Sequence, residues 1–231
     1  MTKRFHSLLW LCMLSVAVLV SACGDDAQRK AFIEFLQNKT TSQLNRVAVP
    51  SDQVRESFGD YAQQYDLIID FHRTLNDQVK APLKSLGTDF AAAMNFSTGI
   101  AERRAKLVQL NTAFGEMNTM VERTLKEAED KLTAFKQPDD VKAAYTPVFD
   151  LHVRKPARTF SELVPLFSEL ITKATEMLDF VEANPDKIST KGGRLEVKDQ
   201  STLNRLTAFQ KELAAINKKV QAVISQYRQG N

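Results

Sequence analysis

Three long stretches of this 231-residue chain carry apolar residues three and four apart, and that spacing leaves little choice of fold. Leu107, Leu110, Phe114, Met117, Val121, Leu125, Ala128, Leu132 and Phe135 make the first series. Phe160, Leu163, Phe167, Leu170, Ala174, Met177 and Val181 make the second, and Leu206, Phe209, Leu213, Ile216, Val220, Val223 and Tyr227 the third. A helix turns once in 3.6 residues, so each series lines one face of an amphipathic helix that must be buried against another. A strand, with its period of two, does not produce it. The first series takes one extra four-residue step, which relaxes any supercoil locally. Uninterrupted from Thr98 to Gln137, it makes a helix about 60 Å long. Gly115 in its middle costs about 1 kcal/mol against alanine; the expected reason is close approach of a neighbouring helix.

The remaining segments fit around these. Asp25 or Asp26 N-caps a short leading helix whose Phe32, Ile33, Phe35 and Leu36 form an apolar face, expected to pack on the domain rather than on a bilayer. Ser51 caps a helical pattern that runs to Leu86, broken or kinked at Gly59 and Pro82. Gly87 to Thr98 reads as a loop. Pro138-Asp139-Asp140 stops one helix and starts another, and Pro156 suits the first turn of the next. Gly192-Gly193 is a two-residue hairpin signal. Pairing Lys191 with Arg194 puts Ile188, Thr190, Leu195 and Val197 on one face, which must lie on the helices because a lone hairpin is marginal in water. The expected fold is mainly α: an elongated multi-helix bundle with one small β-hairpin before the C-terminal helix.

The first residues read as an address. Lys3 and Arg4 precede Leu8 to Val20, an apolar run too short to span a bilayer, which takes about 20 residues. Val20-Ser21-Ala22-Cys23 follows and resembles the lipobox of bacterial lipoproteins. That resemblance implies cleavage between Ala22 and Cys23, with a diacylglyceryl group on the Cys23 thiol and an N-acyl chain on the new amine. Two or more acyl chains anchor a protein stably without a transmembrane helix. The other cysteine, Cys12, lies within the leader, so no thiol remains for a disulfide, a metal or a nucleophile. The expected organisation is a lipoprotein signal peptide over 1–22, a lipid-attachment tether over 23–27 and a single helical periplasmic domain over 28–231. In such lipoproteins the residue after the cysteine directs sorting. Gly24, rather than aspartate, implies the inner leaflet of the outer membrane, with the periplasmic face of the inner membrane as the alternative.

Composition excludes other classes. Hydrophobic residues are 43% and charged residues 26%, the balance of a globular chain. A net charge of +3, to which the leader contributes two, implies no nucleic-acid partner. No HExxH motif, Cys/His cluster or phosphate loop appears, so neither a metal nor a cofactor beyond the lipid on Cys23 is expected. Asp66 and Asp70 are i,i+4 neighbours near His72; surface carboxylates and a packed histidine explain them. No catalytic residues are assigned and an enzyme is not expected. His152, Arg154, Lys155 and Arg158 flank Pro156 and form a possible basic contact patch for anionic headgroups or an acidic partner.

The stretch Asp26-Ala27-Gln28-Arg29-Lys30-Ala31-Phe32-Ile33-Glu34-Phe35-Leu36-Gln37-Asn38, directly after a lipobox, resembles the start of the YiaF-like family of Gram-negative lipoproteins. Asp139-Asp140-Val141-Lys142, Pro156-Ala157 and the hairpin before the last helix are similar too. The resemblance implies a helical periplasmic domain and offers no catalytic residues to carry over. The expected function is protein–protein interaction or scaffolding in the cell envelope, with the membrane held through the lipid and another envelope protein as partner. The alternative is a module that binds a lipid or other amphiphile in a cavity between helices.

Overall fold

A computed structural model describes residues 25–38, 47–96 and 99–229. The chain is mainly helical: α1 (25–38), α2 (Asp52–Glu56), a 3-10 turn (Gly59–Tyr61), α3 (Ala62–Leu75), α4 (Ala81–Ala93), α5 (Ile100–Ala134), α6 (Asp139–Phe149), α7 (Lys155–Glu182), the strands β1 (Ile188–Lys191) and β2 (Arg194–Val197), and α8 (Gln200–Gln229). Leader residues 1–22, the attachment residue Cys23 and Gly24 lie outside the described residues. The expected tether overlaps the structure at its end, because α1 is already helical at Asp25.

Among the described residues these elements sort into two compact units, one up to residue 70 together with 130–152, the other from 71 to 129 together with 153–229. In the first, α1 buries Phe32 and Leu36 completely. Phe32 meets Phe58 edge-on at 5.3 Å and stacks on Tyr61 at 5.7 Å, and Phe35 meets Tyr65 at 5.0 Å. The apolar face of α1 therefore packs on protein, as its sequence predicts. Tyr61 donates to Asp25 at 3.2 Å, which holds the start of α1 in place. Gly59 sits at φ +54°, and a Cβ there meets the Gln28 side chain, so this break is fixed both by backbone conformation and by space. On α6, Val141, Tyr145, Val148 and Phe149 are buried.

In the second unit α7 touches both α5 and α8 and runs antiparallel to each. Along α8 the partners are Phe180 with Phe209, Lys173 with Glu212 and Glu169 with Lys219. Leu206, Phe209, Ile216 and Val220 are the buried face of α8. Asp199 caps that helix by accepting from the Thr202 amide at 2.9 Å and its hydroxyl at 2.8 Å. These bonds hold the Asp199 carboxyl below its ordinary range.

The hairpin has the register the Gly-Gly turn predicts: Ile188 faces Val197, Thr190 faces Leu195 and Lys191 faces Arg194. Gly192 and Gly193 take φ of +58° and +76°, the left-handed pair that a two-residue turn needs. Ile188, Leu195 and Val197 join Met177, Val181, Leu206 and Phe209 in one apolar cluster, so the helices supply the face that a lone hairpin lacks.

Two expectations are corrected. Residues 87–93 are helical rather than a loop: α4 runs through Gly87 to Ala93, because Ala91-Ala92-Ala93 favours helix enough to outweigh one glycine. And no neighbour approaches Gly115, where a Cβ meets nothing within 4 Å. Nothing in the structure explains that glycine.

Widened π turns precede two of the prolines. Asn76–Lys80 leads into Ala81-Pro82 and Asp150–Arg154 into Lys155-Pro156. A proline inside a helix has no N–H to donate, and its ring presses on the carbonyl four residues back. One wider turn moves that carbonyl away and lets the helical path continue.

Candidate functional site

The α5–α7 contact is a ladder of small polar pairs and rings. Arg104 on α5 donates to Asp179 and, at 2.8 Å, to Glu182 on α7. Ser168 donates to Asn111 at 3.2 Å, and the Phe114 and Phe167 rings stack at 4.3 Å. Ser161 donates to Asn118 at 3.2 Å, and Asn118 donates to Glu122 at 2.8 Å. Arg154 meets Glu129 at 2.9 Å at the far end.

Where α7 presents Ala157 and Ser161, its side chains are too short to fill the space opposite Val121 and Leu125. An open groove of about 340 Å³ results. It is lined by the apolar Val121, Leu125 and Ala157, of which Val121 and Ala157 are buried, and by Glu122, Arg158, Ser161 and Glu162. Glu122, Arg158 and Glu162 are exposed. The groove was not anticipated. Its signal in the sequence is a pair of small residues four apart, Ala157 and Ser161, beside a series of large apolar ones.

A second space lies higher on the same helices. Leu83, Leu86, Gly87 and Phe90 of α4 close over Phe114, Phe167, Leu170 and Ile171, leaving a cavity of about 170 Å³ with an almost wholly apolar lining.

The basic residues around Pro156 have separate surroundings. His152 is 1% exposed. Arg154 is held by Glu129, Lys155 lies 5.9 Å from the Tyr227 ring, and Arg158 lines the groove. Asp66 is engaged by Arg55 through two hydrogen bonds, 3.0 Å and 2.5 Å, and that pair raises the Arg55 pKa. Asp70 is exposed and His72 half-buried. Among the described residues no three His, Cys, Asp or Glu side chains converge on a metal position. Among the same residues no helix is long and apolar enough to cross a membrane.

A family model described as a protein of unknown function, DUF3053, matches residues 11–229. The chain belongs to the DUF3053 family. Among curated relatives, the uncharacterised protein YiaF of Escherichia coli strain K12 is 23% identical over 181 residues, covering 78% of this chain and 76% of its own. The same protein in Shigella flexneri matches to the same extent. No solved structure matches this DUF3053 chain.

Proposed function

We propose that this protein is a lipid-anchored envelope protein that faces the periplasm and holds a partner protein by seating one of the partner's helices in the α5–α7 groove. The groove carries the reading. Its lining combines apolar Val121, Leu125 and Ala157 with charges of both signs on Glu122, Arg158 and Glu162, the combination by which an amphipathic helix is taken up from its apolar face. Such charges act mainly on partner choice and register. The anchor rests on the sequence Val20-Ser21-Ala22-Cys23. A single residue, Gly24, separates Cys23 from the first helical residue, Asp25, so a lipid on Cys23 keeps the start of α1 at the headgroups. By its residue type Gly24 favours the inner leaflet of the outer membrane. In this reading the protein is not an enzyme: it acts by contact. The test is recovery of the partner by full-length protein carrying Arg158→Glu or Ser161→Leu. Both variants fold and both lose the partner under this account; undiminished recovery by both overturns it.

The apolar cavity beneath α4 supports a second reading, a binding module for an amphiphile. At about 170 Å³ it is smaller than the ~300–1,000 Å³ typical of sites for whole small molecules. It therefore suits part of one acyl tail. Solvent extraction of purified Cys23→Ser protein, which lacks covalent lipid, recovers an acyl compound in this reading; a lipid-free extract from fully stable protein dismisses it.

A further inference from the structure

The apolar cavity beneath α4 reaches the surface at one residue. Leu83, Leu86, Gly87 and Phe90 line it from α4. They fall at i, i+3, i+4 and i+7, the spacing of a single helix face. Leucine and phenylalanine hold three places on that face, and the remaining place has no side chain. Among the described residues that line the cavity, Gly87 alone is exposed; Phe114 and Ile171 are buried and the rest half-buried. The cavity therefore opens to water beside Gly87.

The fold itself does not require a glycine there. Gly87 lies inside α4 with an ordinary negative φ, so no left-handed backbone calls for it. A Cβ at this position meets nothing within 4 Å, so no neighbour crowds it either. In a helix interior glycine costs about 1 kcal/mol against alanine. What the chain gains at that cost is a gap one side chain wide, leading from water toward Phe114, Phe167 and Ile171.

The interior suits an alkyl group and not water. A buried water needs two to four polar partners, and a lining of Leu, Phe and Ile side chains offers almost none. An apolar cavity of about 150 Å³ lined by the same residue types takes up one benzene. At about 170 Å³ this one holds about six to eight carbons. Leu83, Leu86, Phe90, Phe167 and Leu170 around it are each half-buried, so an alkyl group seated among them takes further apolar surface out of water.

We propose that Gly87 is the entrance of this cavity and that the ligand is a single-chain amphiphile. Its alkyl end, about six to eight carbons long, passes Gly87 into the cavity, and its polar head stays in water outside α4. A gap of one side chain admits an unbranched chain end-on and turns away a fused-ring body. The entrance rests on the reading of the cavity as an amphiphile site and adds to it the place of entry and the length of chain taken. It is independent of the α5–α7 groove.

The test is calorimetric titration of full-length Cys23→Ser protein with hexyl, octyl, decyl and dodecyl maltoside, each below its micellar concentration. Affinity rises about fourfold for each methylene added up to octyl and by less than about twofold for each one beyond it, where the chain no longer finds room. A rise at one constant rate through dodecyl overturns the chain length. Adding Gly87→Leu closes the entrance and weakens octyl maltoside about tenfold or more, the loss of at least two buried methylenes. Gly115→Leu also places a side chain in open space on a helix, away from the cavity, and leaves the affinity unchanged. Gly87→Ala, which suits the helix better than glycine, keeps the test decisive should the leucine variant not fold; it weakens octyl maltoside about threefold or more, the loss of one buried methylene. Equal affinity in the parent and the folded Gly87 variants overturns the entrance and leaves the amphiphile reading standing. A parent that binds no maltoside overturns both.

Discussion

The Tyr145 hydroxyl donates to the backbone carbonyl of Gln64 at 2.7 Å, and this bond ties α6 to α3 in the interior of the first unit. Tyr145 is 0% exposed and Gln64 4%. The Gln64 side chain is satisfied as well, accepting from Gln137 at 2.7 Å. Tyr145→Phe keeps the ring and removes this bond, while the Gln64 carbonyl keeps its acceptor role within helix α3, so the expected cost is about 0.5–1.5 kcal/mol. Urea unfolding at neutral pH measures it.

The same tyrosine sets an alkaline limit on stability. Burial raises the phenol pKa of Tyr145, and of Tyr65, well above the ordinary value of 10.0. Each keeps its proton in the folded chain after the unfolded chain has lost it. Their contribution is fully present below pH 10 and is lost as pH rises above it. Unfolding free energy is expected to fall above that pH by up to about 1.4 kcal/mol per pH unit for each tyrosine. Tyr145→Phe lowers the slope by that one contribution and leaves the rest, because Tyr61, Tyr65 and Tyr227 are raised as well. A slope unchanged by this substitution contradicts the assignment.

Glycines 59 and 115 are predicted to respond oppositely to alanine. Gly59 is left-handed, and a Cβ there displaces Gln28. Gly59→Ala is expected to cost at least about 1–2 kcal/mol. Gly115 is helical with open space around it, so Gly115→Ala gains about 0.5–1 kcal/mol. Chemical denaturation of both variants beside the wild type measures the pair.

The hairpin depends on one side chain more than on its backbone pairing. Ile188 is 5% exposed and joins the cluster of Met177, Val181, Leu206 and Phe209, whereas Ser189 is exposed. Ile188→Ala is expected to cost about 2–5 kcal/mol, and Ser189→Ala to stay within about 0.5 kcal/mol. Comparable losses in both refute the view that burial, not pairing, holds the hairpin.

Much of the helical architecture is legible in the sequence because burial at helical spacing is local information. Leu107, Leu110, Phe114, Met117 and Val121 fall on one buried face of α5, and the Gly-Gly turn alone fixes the strand register. The less regular features resist such reading for physical reasons. Gly87 breaks a pattern only when its neighbours are weak helix formers, and here three alanines follow. The π turns before Pro82 and Pro156 answer a backbone clash that apolar spacing does not register. Arg103 lies between apolar positions and looks like one more surface charge; only the fold shows Phe96 and Ala93 closing over it. The groove is set by what Ala157 and Ser161 lack, and an absence of side chain has no periodicity.

The most direct measurement is photo-crosslinking in membranes from cells producing the full-length protein at native level, with the crosslinking residue at position 158 in the groove lining or at position 211, an exposed position on α8. The account predicts one discrete adduct with a different polypeptide from position 158, none from position 211, and loss of the adduct when Cys23→Ser releases the protein from the membrane. Adducts of equal pattern from both positions, or none but the protein with itself, contradict it.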